Sequence, residues 1–273
     1  MRFKILAIFA VSVVMASSCA SQFDLVMRSN DVDFKYKAAM AYFNDNKFKK
    51  AADVFDNLNL LVQGLPQEDT VNFYHGLANY RFGDFETAEA SLAKFIEVYP
   101  RSAFINQAKY LRIDCLYKGT YRYELDQTPT RKAMMIISEF MYENPGSEYY
   151  AVCQGMMKDL MERLERKSYE SAKMYYTMED YKASRYALKN VLKDNAENQY
   201  REEILYYVAM SSYKYAYNSI EEKQKERYLD FVDDYYNFIS EYPESKFRKE
   251  LDGLFARAEK HVGHTKVEKS GEL

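Results

Sequence analysis

Side chains able to do chemistry are few and scattered in this chain. Its 273 residues hold three histidines (His75, His261, His264) and three cysteines (Cys19, Cys115, Cys153). H-V-G-H, from His261 to His264, has weak spacing for a metal pair, with no Cys or acidic arrangement to complete a coordination sphere. His75 falls in an apolar-patterned segment, where a packed or surface imidazole is the simpler reading. There is no G-x-S-x-G, H-E-x-x-H or Walker sequence. The expectation is therefore no enzyme, no metal and no cofactor. Cys115 and Cys153 could pair in an oxidising compartment, because their segments belong to neighbouring units, but the sequence leaves their distance open. Bases and acids nearly balance at a net charge of −3, and no basic arm or stripe suggests nucleic acid. What remains is 27 Tyr and 17 Phe, which points to packing and binding.

The thiol best placed for modification is Cys19. Met1-Arg2-Phe3-Lys4 is a cationic start, Ile5 to Ala16 an apolar run too short to span a bilayer comfortably, and Ser17-Ser18-Cys19 a small-residue processing site. This resembles a bacterial lipoprotein leader. The resemblance implies removal of residues 1–18 and diacylglyceryl modification of Cys19, and such acyl chains anchor a protein stably. Ala20-Ser21-Gln22 offers no Asp for inner-membrane retention, so the expected address is the periplasmic face of an outer membrane. Residues 19–33 read as a polar tether.

Beyond the tether, the element that must position any binding residue is a helical hairpin. From Val71 to Phe104 two amphipathic helices fold back on each other around Gly83-Asp84, where Gly accepts positive φ and Asp caps the second helix. Gly76 and Ala88 sit where the helices would cross closely, and Pro100 cannot continue the second. The ending recurs. Y-P-R-S-A-F (Tyr99 to Phe104) returns as N-P-G-S-E-Y (Asn144 to Tyr149) and Y-P-E-S-K-F (Tyr242 to Phe247), with D-N-A-E-N-Q-Y (Asp194 to Tyr200) filling the long interval. In the first three, Pro ends a helix, Ser is expected to cap the next and an aromatic begins packing; in the fourth, Ala196 takes the proline's place. Self-similarity at this period predicts an all-α tetratricopeptide (TPR) helical-hairpin solenoid of about five repeats with a C-terminal capping helix. Repeats 1–3 are expected over 34–146, repeats 4–5 with the capping helix over 147–261, and a tail over 262–273. Lys118 to Thr130 reads as a long connection, Arg131 to Glu143 as the helix after it, Ser147 to Tyr176 as one long helix, and Ile220 to Arg227 as a solvated loop.

A lipoprotein leader, a tether and hairpins ending in Y-P-x-S-x-aromatic resemble the BamD family, the TPR lipoproteins of the β-barrel assembly machinery. G-L-A-N-Y-R-F-G-D-F-E-T-A-E-A resembles the family's second repeat, and D-Q-T-P-T-R-K-A the loop before the closing helix of its third. Tyr169 to Leu192 resembles the fourth repeat, with its aromatic pair ahead of the turn. The resemblance implies a scaffold that binds the POTRA domains of BamA and unfolded outer-membrane proteins, with other assembly lipoproteins as candidate partners. It implies a partner contact through Tyr176, Tyr181 and Arg185. The family often places an Arg where Ala187 stands, and Arg185 lies about 200° around the helix from it. A groove lined by Tyr36, Met40, Phe43, Phe73, Leu77, Tyr80 and Arg81 would suit an aromatic substrate signal. The same residues would equally serve as packing between repeats. Alternatives are a TPR adaptor of another envelope process, such as peptidoglycan coordination or secretion, and a SusD-type glycan binder. The second normally has a longer, Trp-rich chain, and this one has no Trp.

Overall fold

The computed structural model describes residues 22–263. The leader 1–18, Cys19, His264 and the rest of the tail lie outside the described residues. The chain is all-α, with TPR-like hairpins. A short helix α1 (22–28) precedes the first hairpin, α2 (Val32–Asn44) and α3 (Phe48–Asn59). Then follow α4 (Glu68–Phe82) with α5 (Phe85–Val98), α6 (Ile105–Lys118) with α7 (Thr128–Glu143), and α8 (Tyr150–Thr177) with α9 (Tyr181–Asp194). The last hairpin is α10 (Arg201–Tyr217) with α11 (Glu221–Glu241), closed by α12 (Arg248–Val262). The expected five hairpins and capping helix are present.

Two compact units divide the chain. One runs to Tyr121 and resumes over Leu125–Lys158; the other comprises Arg122–Glu124 and the residues from Asp159 onward. In the first unit each helix from α2 to α7 packs on the next, and α4 also touches α6. In the second, α9 to α12 do the same, and α10 touches α12. Contact between the first helices of successive hairpins is how a TPR-like repeat buries an apolar face it cannot bury alone.

The recurring motif makes that contact. Phe104 stacks on Phe73 at 4.4 Å and Tyr149 on Tyr110 at 4.2 Å. Tyr200 stacks on Tyr169 at 4.8 Å and Phe247 on Tyr206 at 4.2 Å. In every case the aromatic that opens one repeat lies flat on the first helix of the preceding one. The serine does something other than cap a helix. The N-cap positions are Phe104 and Phe247, without a side-chain cap. Ser102 instead accepts the Phe104 N–H and donates to Asp69, and Ser245 accepts the Phe247 N–H and donates to Glu202. It therefore ties the junction back to the start of the preceding repeat. The proline-free junction uses Asn198, whose Oδ1 accepts from Tyr200 N–H at 2.9 Å.

The hairpin turn forms as its residues require. Gly83 takes φ 93°, and Asp84 accepts the Thr87 N–H at 3.1 Å. Gly76 is a close approach: a Cβ there would lie 2.9 Å from Leu92 Cδ2 and Cγ. Leu92 is buried, so Gly76→Ala must displace a packed side chain. We expect a loss of about 1–3 kcal/mol in chemical denaturation, whereas an unchanged midpoint would contradict the close approach.

Three expectations are corrected. Part of the supposed tether is α1, with Val26 buried against the first hairpin and Phe23 edge-on to Tyr42. Phe23, Val26 and Met27 share one face, but a pattern of seven residues is too short to stand out beside a polar stretch. Ile220 to Arg227 is not a loop, because α11 begins at Glu221. Glu221 and Glu222 in its first turn suit the positive end of the helix dipole, so the charge density that suggested solvation is a helix start. Finally, α7 starts at Thr128 with Pro129 in its first turn, where its fixed φ is already helical. The connection therefore spans only 119–127. Buried Gln127 bonds the Leu125 carbonyl and accepts from Thr130 Oγ1.

Candidate binding surfaces

The structure sorts the predicted groove residues by depth. Phe73 (2 % exposed) and Leu77 (8 %) are core. Phe73 lies between Phe104 and Phe95, so it serves repeat packing and offers no face to a ligand. Phe43 sits edge-on to Phe48 at 5.3 Å and to Tyr74 at 5.4 Å, bridging the first two hairpins. Tyr36 and Met40 are half-buried against the first-hairpin core. Burial, with the nearby Tyr74, raises the Tyr36 pKa. Tyr80 donates to Asp114 Oδ2 at 2.5 Å, and Lys118 Nζ reaches the same hydroxyl at 2.9 Å. Burial opposes the Lys118 charge, but the hydrogen bonds to Asp114 and Tyr80 outweigh it and carry its pKa up to about 12. Arg81 is exposed beside Phe82 at the turn of the hairpin. The set therefore splits into packing residues, a polar clasp and a few accessible groups.

The proposed partner residues in the second unit also turn inward. Tyr176 lies against Tyr181 at 5.5 Å and Tyr207 at 5.0 Å, and burial pushes its hydroxyl pKa up to about 12. Arg185 is committed within the chain. Its Nε lies 2.6 Å from Asp234 Oδ2, and a terminal nitrogen lies 3.3 Å from Asp230. Asp234 (5 % exposed) also takes Lys189 at 2.6 Å and the Ser212 hydroxyl. Burial works against the Arg185 charge, and Asp234 and Asp230 overcome it, so its pKa stands above the ordinary value. Arg185 is thus a clamp from α9 onto α11, which corrects the expectation of a partner-facing guanidinium.

The residues sequence reasoning missed are the immediate neighbours. Met174, Tyr175, Met178 and Tyr186 expose apolar side chains around the fourth hairpin, with Met178 at 66 % and Tyr186 at 59 %. Tyr175 and Tyr186 stand one residue from Tyr176 and Arg185, a rotation of about 100°, and Met174 and Met178 stand two residues from Tyr176, about 200°. The helix phase could have supplied both. Beside them is a concavity of about 480 Å³ lined in part by Tyr123, Lys167, Lys173 and Met174. Arg166 lies 4.2 Å over the Tyr123 ring, and Lys167 donates to the Glu124 carbonyl. This holds Tyr123 and Glu124 as part of its wall.

Cys115 and Cys153 are both free and buried. Burial pushes their thiol pKa values up to about 12 and about 11. Since the thiolate is the reacting species, neither thiol should react with a maleimide at pH 8 in the folded protein, while both react in denaturant. Rapid labelling of Cys115 or Cys153 in the native chain, read by peptide mass, would contradict that burial. His75 is held near Asp56 at 3.8 Å, and burial lowers its pKa despite that carboxylate.

Among the described residues, no helix is long and apolar enough to cross a membrane. The family model for YfiO, described as an outer membrane lipoprotein, matches residues 29–228. The chain belongs to the YfiO family of outer membrane lipoproteins. A comparison with curated proteins found no match. The YfiO match begins just before α2 and ends early in α11, so it covers the first four hairpins and α10, including Arg185 but not its acceptors Asp230 and Asp234.

Proposed function

We propose that this protein is a lipid-anchored periplasmic scaffold of β-barrel assembly, working by binding rather than catalysis. Its partners on this reading are the POTRA domains of a BamA-type protein and unfolded outer-membrane proteins. The observation that carries the reading is membership of an outer membrane lipoprotein family together with hairpin repeats, an architecture that presents extended binding surfaces. Cys19 bears the anchor. Partner contact runs through the exposed Met174, Tyr175, Met178 and Tyr186. Methionine and tyrosine suit such a surface, because both give large contact area that adapts to a partner. Tyr36, Met40 and Tyr80, only half-buried, are the accessible remainder of the substrate face. The test is depletion in the native host. Outer-membrane β-barrel proteins should fall together, while other lipoproteins of that membrane keep their levels. Unchanged barrel proteins on depletion would reject the role.

A further inference from the structure

The turn edge of the first unit carries an arrangement that neither the scaffold role nor the repeat packing requires. Helix α1 runs antiparallel to α2. Phe23 meets Tyr42 near the end of α2, while the Met27 carbonyl accepts from Lys35 Nζ near its start. The chain therefore enters the fold beside the turn of the first hairpin. Only three residue steps separate Cys19 from Gln22, a reach on the order of 10 Å. Along the same edge, lysines lie over aromatic rings at three successive turns. Lys50 lies 5.5 Å from the Phe23 centroid and 5.9 Å from Tyr42. Lys49 lies 5.7 Å from Phe82. Lys118 lies 4.6 Å from Tyr80 and 4.9 Å from Phe85. Phe82 remains 50 % exposed at the tip of the second hairpin.

Charge on this edge is mostly matched. Asp45 pairs with Lys47, Asp53 with Lys49 and Asp114 with Lys118, and Asp84 caps α5. Lys50 and Arg81 have no carboxylate partner among the described residues, and the exposed Asp24 and Glu86 equal them in number, so the edge is distinguished by its cation-flanked rings and not by net charge. Aromatic rings flanked by long cationic stems are the chemistry of the bilayer interface. There rings sit at headgroup level and lysines extend toward water or lipid phosphate. An anchor at most three residue steps from Gln22, a reach of about 10 Å or less, holds this end of the first unit near the membrane, so even weak lipid contacts are made within one molecule. We infer that the edge formed by Phe23, Lys50, Lys49, Phe82 and Arg81 rests on the phospholipid headgroup layer beside the Cys19 anchor, fixing how the first hairpins face the membrane.

The inference rests on Cys19 being the lipid-bearing residue, and the experiment separates the two. The absence of Trp makes Phe82→Trp a sole fluorescent reporter. Tyr142→Trp, at 89 % exposure near the far end of α7, is its control. Each full-length variant is extracted from its envelope, and its mass reports whether Cys19 is acylated. It is then placed in vesicles of phosphatidylethanolamine with a minor share of phosphatidylglycerol, with and without brominated acyl chains. Phe82→Trp emission should fall about twofold with brominated lipid, as expected for a ring at the interface, while Tyr142→Trp stays unchanged. Equal quenching of the two, or none, overturns the inference. So does a Phe82→Trp blue shift without bromine quenching, which would mean that a second copy covers the edge. If the mass shows no acyl chain, the anchor reading fails. The edge is then tested by coupling Cys19 of the chain from that residue onward to a maleimide lipid in the same vesicles, with the same outcomes deciding it.

Discussion

Replacing Phe73 with alanine should cost about 3–5 kcal/mol, the range for removing a buried aromatic ring. The ring is almost wholly buried, stacked on Phe104 at 4.4 Å and tilted against Phe95 at 5.7 Å. Three helices and a repeat junction meet on it. Because a repeat array is stabilised by nearest-neighbour terms, the loss should be local. Hydrogen exchange should show protection falling in α4, α5 and the start of α6 while α10 and α11 keep theirs. A change under about 1 kcal/mol, or a loss spread evenly over both units, would contradict the view that Y-P-x-S-x-aromatic is a stacking device between repeats.

The second large effect is expected at Asp234. This carboxylate is almost buried and receives Arg185, Lys189 and the Ser212 hydroxyl. Asp234→Ala leaves a mostly buried guanidinium beside Lys189 with only the half-exposed Asp230 to face it. Removing one member of a buried pair typically costs about 3–5 kcal/mol, and Asp230 should hold the loss to the lower end. Asp234→Asn keeps the shape and one acceptor oxygen, so it should cost less. The readout is hydrogen exchange in α9 to α11, which avoids treating a two-unit chain as a single cooperative transition. The same clamp sets the expectation for Arg185→Ala: reduced protection across α9 and α11, with any loss of partner binding following that loosening. Weaker partner binding with protection unchanged would show that Arg185 touches the partner directly.

How much of this was legible in the sequence differs by level. The hairpins were readable because local chemistry and periodicity agree, as at Gly83-Asp84, where a required positive φ and an N-cap stand side by side. The repeats were readable because a junction recurs with its aromatic in place. Asp194 to Tyr200 kept the plan without its proline, since Asn198 supplies the acceptor that Ser supplies elsewhere. What the sequence hid was partnership across the fold. Ser102 and Ser245 looked like caps because the acids they bond, Asp69 and Glu202, lie 33 and 43 residues earlier. Arg185 looked like a surface charge because its acceptors lie on another hairpin. The depth of the expected groove residues was hidden for a related reason. Apolar spacing identifies residues that leave water, and in a repeat array the deepest of them, Phe73 and Leu77, go to the neighbouring repeat. The residues left outside, Met178 and Tyr186, break the pattern.

Affinity capture from gently solubilised envelope, with the lipidated protein tagged at its C-terminus, tests the scaffold reading most directly. Mass spectrometry of the retained proteins should recover a large outer-membrane β-barrel protein with POTRA domains in near-equal amount. Replacing Met178 and Tyr186 with charged residues should deplete it. If that partner is absent and wall enzymes or secretion components are retained instead, the assembly role is contradicted.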